Sequence, residues 1–194
     1  SYEDAAFATL GAVALQGFRL AEPQLGEKIA IIGLGLLGLL TVEIARAAGC
    51  QVFGIDINPE KVALAQKFGI EAVTRPQAEA AGLSFSKGKG FDAVLICADS
   101  KSDDPIQLAG LLARDRGIVV AVGAVGLNIQ RKMYYEKELD LRISRSYGPG
   151  RYDTSYEEKG DDYPYGYVRW KENRNIEAFV DLVAAGKIDP AQLV

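Results

Sequence analysis

Histidine is absent from all 194 residues. That removes the commonest general acid–base side chain and the commonest metal ligand. Any proton transfer in this chain falls to Tyr, Lys, Asp, Glu or Cys, or to groups outside it. Cysteine is scarce too, with only Cys50 and Cys97. They make neither a metal-ligand pair nor a disulfide framework, and each sits in a segment read as buried. A core thiol in a reducing cytosol is the expected usage, so no metal site is expected. No apolar run is long enough to cross a bilayer, and no stretch reads as a signal peptide. A cytoplasmic location is the expectation. Basic excess is lacking as well. The net charge of −4 points away from nucleic acid and membrane surfaces as partners.

What is present is a core-forming composition, 48% hydrophobic, at a length that suits one domain. Its centre is the run Gly33, Leu34, Gly35, Leu36, Leu37, Gly38. An Ile-rich segment at 28–33 precedes it, and a helical pattern at about 36–48 follows. Strand, glycine turn and helix in that order form a dinucleotide-binding fingerprint. Gly33 serves the tight turn, Gly35 the close approach of a pyrophosphate, and Gly38 the packing of helix on strand. The unpaired N–H groups at the helix start would then face the phosphates. A second apolar run, 51–56, ends at Asp56, where an acid for the ribose hydroxyls is expected.

The pattern predicts a helix over 2–22, stopped by Pro23. Strands follow at 28–33, 51–56, 71–74, 91–98, 117–123 and 139–147, with helices between them. Asn58 caps the helix that begins at Pro59. Asp103 to Pro105 starts another, which runs to 114. A helical turn is expected at 133–138, and a last helix at 174–185, capped by Asn173. Alternating strands and helices predict an α/β fold with a parallel sheet covered on both faces. The stretch 148–169 differs: Gly and Pro punctuate it, acids cluster at 157–162, and it is rich in Tyr. It reads as a long ordered insertion after the sixth strand. Tyr163, Tyr165 and Tyr167 alternate at strand spacing, which suggests packing. The acids read as a solvated cluster.

Taken together, Ile-Ile-Gly-Leu-Gly-Leu-Leu-Gly at 31–38, Ala-Arg-Ala-Ala-Gly at 45–49, Gly-Ile-Asp-Ile-Asn at 54–58, Lys61 and Phe68-Gly69 resemble the coenzyme domain of the medium-chain dehydrogenase/reductase superfamily, the zinc-type alcohol dehydrogenases and their relatives. The segments 147–153 and 165–170 look like a branch fused to a glucose–fructose-oxidoreductase-like domain. The resemblance implies a Rossmann sheet of six strands in order 3-2-1-4-5-6 and a catalytic domain outside this chain. It places Gly33, Gly35, Leu36, Leu37 and Gly38 at the pyrophosphate, and Asp56 and Lys61 at the adenosine ribose. Ala98, Asp99, Val122 and Gly123 would line the path to the nicotinamide. Zinc-type members carry a ligand Cys near the position of Ala8; here residues 5–17 offer no Cys, His, Asp or Glu, so no zinc is expected in this chain.

The expected organisation is one NAD-binding domain over 1–194, excised from a larger protein, with a linker helix at 1–25 and the Tyr-rich insertion at 148–169. NAD is expected over NADP, because a 2′-phosphate would meet the Asp56 carboxylate and no Arg follows it. The expected activity is hydride transfer between nicotinamide and an alcohol or sugar hydroxyl, with this fragment inactive alone. A small-molecule substrate is the expected partner, and a homodimer stays open. In the insertion, Tyr147 and Tyr152 are candidate proton carriers and Arg151 a candidate holder of a carboxylate or phosphate. Bland readings stand beside these: Asp56 as a helix cap, Lys61 as a solvated helix residue, Asp99 as a loop cap, the insertion as a cover for the sheet edge. A non-catalytic NAD sensor is the alternative function, and a methyltransferase fits the full glycine pattern less well.

Overall fold

The computed structural model describes residues 2–193; Ser1 and Val194 lie outside the described residues. Six strands form one parallel sheet: β1 Lys28–Ile32, β2 Gln51–Asp56, β3 Glu71–Thr74, β4 Phe91–Ile96, β5 Ala113–Ala121 and β6 Asp140–Ile143, in spatial order 3-2-1-4-5-6. The helices are α1 Tyr2–Ala5, α2 Ala8–Leu20, α3 Leu36–Ala47, α4 Pro59–Lys67, α5 Ala78–Phe85, α6 Asp104–Leu112, α7 Arg131–Glu136, α8 Thr154–Glu157 and α9 Glu172–Ala184.

Continuous apolar strands give two cores because successive side chains point to opposite faces. In β1, Ile29 and Ile31 enter the core under α2, α3, α4 and α9. Ala30 and Ile32 enter the core under α5, α6 and α7. On that second face Phe53, Phe85 and Phe91 pack with ring centroids 5.3–5.7 Å apart. Each fully buried side chain of this size contributes about 1.5–3 kcal/mol. Small residues let α2 press in: a Cβ on Gly11 would fall 2.2 Å from the Phe179 ring, and one on Gly17 2.5 Å from Val122. No helix among the described residues is long and apolar enough to cross a membrane.

The elements differ from their sequence expectations in several places. The first helix is broken by a turn after Ala5, so the segment is two helices. The helix expected to reach residue 114 ends at Leu112, because the Lys137 ammonium donates to the carbonyls of Gly110, Leu111 and Ala113 at 2.8–2.9 Å. β5 therefore starts at Ala113, not at residue 117. It pairs first with Phe91, then shifts register through Arg116, whose φ is +57°. The polar Arg-Asp-Arg hid this start from a reading based on apolar runs. β6 is four residues, not nine: Ser146 and Gly148, at φ +50° and +114°, turn the chain away. The last helix has Lys171, not Asn173, at its N-cap position.

Candidate functional site

The glycine turn is closed by its own backbone. Gly33 has φ +97°, and a Cβ there would fall 2.6 Å from the Ala98 nitrogen. A Cβ on Gly38 would fall 1.8 Å from the Gly33 carbonyl oxygen. Gly38 was assigned to helix–strand packing; its tightest constraint is instead the folding of the loop onto the first turn of α3. Gly35 is different. It is the N-cap of α3, at φ −70°, and a Cβ there would meet only the Lys61 ammonium, at 3.8 Å. Open space therefore lies over Gly35, where the first N–H groups of the 12-residue α3, including those of Leu36 and Leu37, have no partner inside the helix.

Asp56 fixes this loop. One of its carboxylate oxygens accepts the Leu34 N–H at 2.6 Å and the other accepts the Asn58 N–H at 2.8 Å. The side chain is buried, at 7% exposure. It is not the helix cap: Asn58 caps α4 by accepting the Glu60 N–H at 2.9 Å. A carboxylate has about four acceptor positions, so two backbone bonds leave capacity for a ligand hydroxyl.

At the carboxyl ends of β1, β2 and β4 lies a cleft of about 290 Å³ lined by Gly33, Asp56, Ile57, Arg75, Ala98, Asp99, Ser100, Ser102, Asp104 and Pro105, with Ile32 and Ile55 beneath. This is the switch point of a doubly wound sheet, where ligands bind. A larger hollow of about 630 Å³, by Leu83, Gly90 and Leu111 at the opposite end of β4 and β5, contains none of the expected site residues. Four expected residues, Gly33, Asp56, Ala98 and Asp99, share the smaller cleft. Val122 and Gly123 stand next to it: both donate N–H to Ile96 O at 2.9 Å, and a Cβ on Gly123 would fall 2.1 Å from Ala98 O. Asp99 does not cap its loop. Ser100 and Ser102 do, their hydroxyls accepting the N–H groups of Ser102 and Asp104 at 3.1 and 3.0 Å. Sequence reading missed Arg75. The signal was an Arg directly after β3, at the switch point; its ion-pair partner Asp104 lies 29 residues on.

The insertion leaves β6 beside the end of β5, where Ser144 N–H bonds to Ala121 O at 2.8 Å. Buried Asn175 anchors it: the amide donates to Tyr147 O at 2.9 Å and Gln16 Oε1 at 3.2 Å, and accepts from Arg19 Nε at 2.9 Å. The acidic cluster is not simply solvated. Glu157 pairs with Arg151, and Asp162 with Lys171 and Arg174. No strand forms over Tyr163 to Tyr167. Tyr163 stacks on Tyr156 at 5.4 Å and donates to Asp153, which pushes its phenol up to about 12. Tyr165 and Tyr167 are exposed. The Arg151 guanidinium lies 4.3 Å from the Tyr152 ring centroid and 5.8 Å from that of Tyr147.

Cys97 bonds to Thr41 Oγ1 at 3.6 Å, and burial pushes its thiol up to about 11. Cys50 is likewise raised by burial. Among the described residues no three His, Cys, Asp or Glu side chains converge as a metal site would require.

The sequence profile of the zinc-binding dehydrogenases matches residues 37–158. An alcohol dehydrogenase of Rhizobium meliloti (strain 1021) is 27% identical over 182 residues, 92% of this chain and 53% of that protein. An alcohol dehydrogenase from Thermus sp. ATN1 superposes with a TM-score of 0.76 at 24% identity, over 98% of this chain and 49% of its own. A protein of Sinorhizobium meliloti 1021, described as a zinc-binding dehydrogenase and solved bound to NADP, superposes at 0.71 with 26% identity, over 95% and 49% of the two chains. This chain thus spans about half the length of the relatives it matches.

Proposed function

Because this chain belongs to the zinc-binding dehydrogenase family, the coenzyme-domain portion of the medium-chain dehydrogenase/reductases, we propose that it is the NAD(H)-binding half of an oxidoreductase. The single observation that carries the reading is the glycine turn with open space over Gly35, beside an Asp56 held at the end of β2. When bound, the nicotinamide cofactor supplies the hydride chemistry. This chain binds and orients it. The α3 N-terminus, with Gly33, Gly35, Leu36, Leu37 and Gly38, offers N–H groups to the pyrophosphate. Lys61 stands over the same loop and adds positive charge. Asp56 accepts from the adenosine ribose hydroxyls, and Ile57 and Pro105 give the cleft apolar walls for the adenine. Ala98, Asp99, Val122 and Gly123 carry the path on toward the nicotinamide.

The substrate class is an alcohol or sugar hydroxyl, held by a catalytic domain beyond this chain, since the relatives are about twice as long. No step of this reading runs through zinc. The insertion starts beside the end of β5, which supports a place for Tyr147, Tyr152 and Arg151 at the substrate end of the cleft. NAD is preferred over NADP, although one relative holds NADP: a 2′-phosphate would face the Asp56 carboxylate at the ribose. Calorimetric titration of this chain with NADH and NADPH tests the reading. Saturable NADH binding with weaker NADPH binding is expected; equal or tighter NADPH binding removes the preference, and no binding of either removes the function.

A further inference from the structure

Arg75 is the one cation among the residues that line the cofactor cleft, and its Nε–Nη2 edge is already paired. It follows the last residue of β3, and Thr74 pairs in register with Asp56. Its Nε and Nη2 donate to the two oxygens of Asp104 at 2.8 and 2.7 Å, a two-pronged contact from the end of β3 to the first turn of α6. Its Nη1 is 3.5 Å from Glu79 Oε1. Asp104 is itself placed, its N–H held by the Ser102 hydroxyl. The hydrogen bonds to Asp104 are the largest cause of a raised Arg75 pKa, and burial opposes them. The arginine side chain is 26% exposed, so the pair is open to solvent and ligand on one side.

A planar guanidinium fork fits a carboxylate or a phosphate equally well, and one fork holds one such partner at a time. Asp104 presents to Arg75 the geometry that a ribose 2′-phosphate would present. The remaining charged groups of the cleft lining, Asp56 and Asp99, repel a phosphate. We propose that the Arg75–Asp104 pair is a selectivity determinant of the adenosine end: Asp104 occupies the Nε–Nη2 fork of the one cation in the cleft lining, so that fork is not offered to a 2′-phosphate and the cleft takes the unphosphorylated ribose. The proposal rests on the reading above, in which the ribose lies at Asp56. It is a negative device, because it denies the competitor a partner instead of adding a contact to NAD.

The test is calorimetric titration of this chain and three variants with NADH and with NADPH. Asp104→Asn removes the competing charge. Asp104→Ser does the same with a residue suited to a helix start, in case the first variant does not fold. Asp104→Asn combined with Arg75→Gln removes the fork as well. The expected result is that either Asp104 variant raises NADPH affinity relative to NADH by about tenfold or more, and that the double variant loses this gain. An unchanged ratio in folded Asp104 variants overturns the proposal. So does a gain that survives in the double variant, since the relief of one negative charge would then explain it without Arg75. If the unsubstituted chain binds neither dinucleotide, the reading of the cleft fails first and takes the selectivity with it; NADH binding with an unmoved ratio leaves that reading standing and sinks only the selectivity.

Discussion

Asp56 Oδ2 accepts the backbone N–H of Leu34 at 2.6 Å, so the last residue of β2 holds the glycine loop of β1 in place. Its second oxygen holds the turn into α4 through Asn58 N–H. The acid expected to bind ribose is thus also the clasp that shapes the site. Both tasks use the same two oxygens.

Asp56→Asn separates them. The amide puts an NH₂ where one of two backbone donors now finds an oxygen, and hydrogen bonds to a charged acceptor contribute about 1.5–3 kcal/mol. The variant should lose about 2 kcal/mol of stability by urea denaturation, and NADH affinity should fall as well. If affinity falls while stability holds, Asp56 serves the ribose alone.

Gly35 and Gly38 lie three residues apart but should respond oppositely to alanine. Gly35→Ala meets open space, so it should fold with a loss of about 1 kcal/mol or less, the cost of Ala at an N-cap. Its methyl group would occupy the place proposed for the pyrophosphate, so NADH titration should show a large loss of affinity. Gly38→Ala drives a methyl group into Gly33 O and should unfold or strongly destabilise the chain by thermal melting. Undiminished NADH binding by Gly35→Ala would remove the phosphate cradle from the proposed function.

Cys97 gives the stability a pH dependence with a defined sign. Its folded thiol titrates at about 11 against an ordinary 9.0, because burial penalises the thiolate. Between those values the folded chain holds a proton that the unfolded chain releases. This contribution is therefore complete below pH 9 and is lost as pH rises toward 11. Denaturation midpoints should fall over that window, and Cys97→Ala should flatten the slope. An identical slope in the variant would assign the effect to other groups.

If the proposed function holds, Tyr152→Phe in a protein that also carries the catalytic domain should lower turnover and leave dinucleotide affinity and folding intact. The tyrosine is 59% exposed and its hydroxyl is not among the bonds that hold the insertion together. Arg151→Ala should lower turnover too, with some loosening of the loop, because Arg151 also pairs with Glu157. Trp170, the only tryptophan in the chain, has Arg19 stacked 3.2 Å from its ring centroid and reports that packing by its fluorescence. Turnover unaffected by both substitutions would make the insertion architectural.

Much of this was legible in order along the chain. β2 and β3 carry the bounds expected of them, Asn58 and Pro59 start α4 as read, and the strand order follows the resemblance. These features depend on neighbours within a few residues: apolar runs bounded by turns, a cap before a proline, glycines between strand and helix. The start of β5 escaped because its first residues are polar and a lysine 24 residues away ends the preceding helix.

The sequence by itself determined the two-faced parallel sheet, the glycine turn and the acid at the end of β2, because each is written in local periodicity and in residue types that only one backbone geometry suits. Only the tertiary structure decided what those residues touch. It gave Asp56 its backbone partners, joined Arg75 to Asp104 across 29 residues, and set Asn175 against Gln16 and Arg19 more than 150 residues earlier. Such pairings follow from how elements pack around the two cores. A charged or amide side chain can choose among many distant partners, and its own neighbourhood in the chain does not record which one it meets.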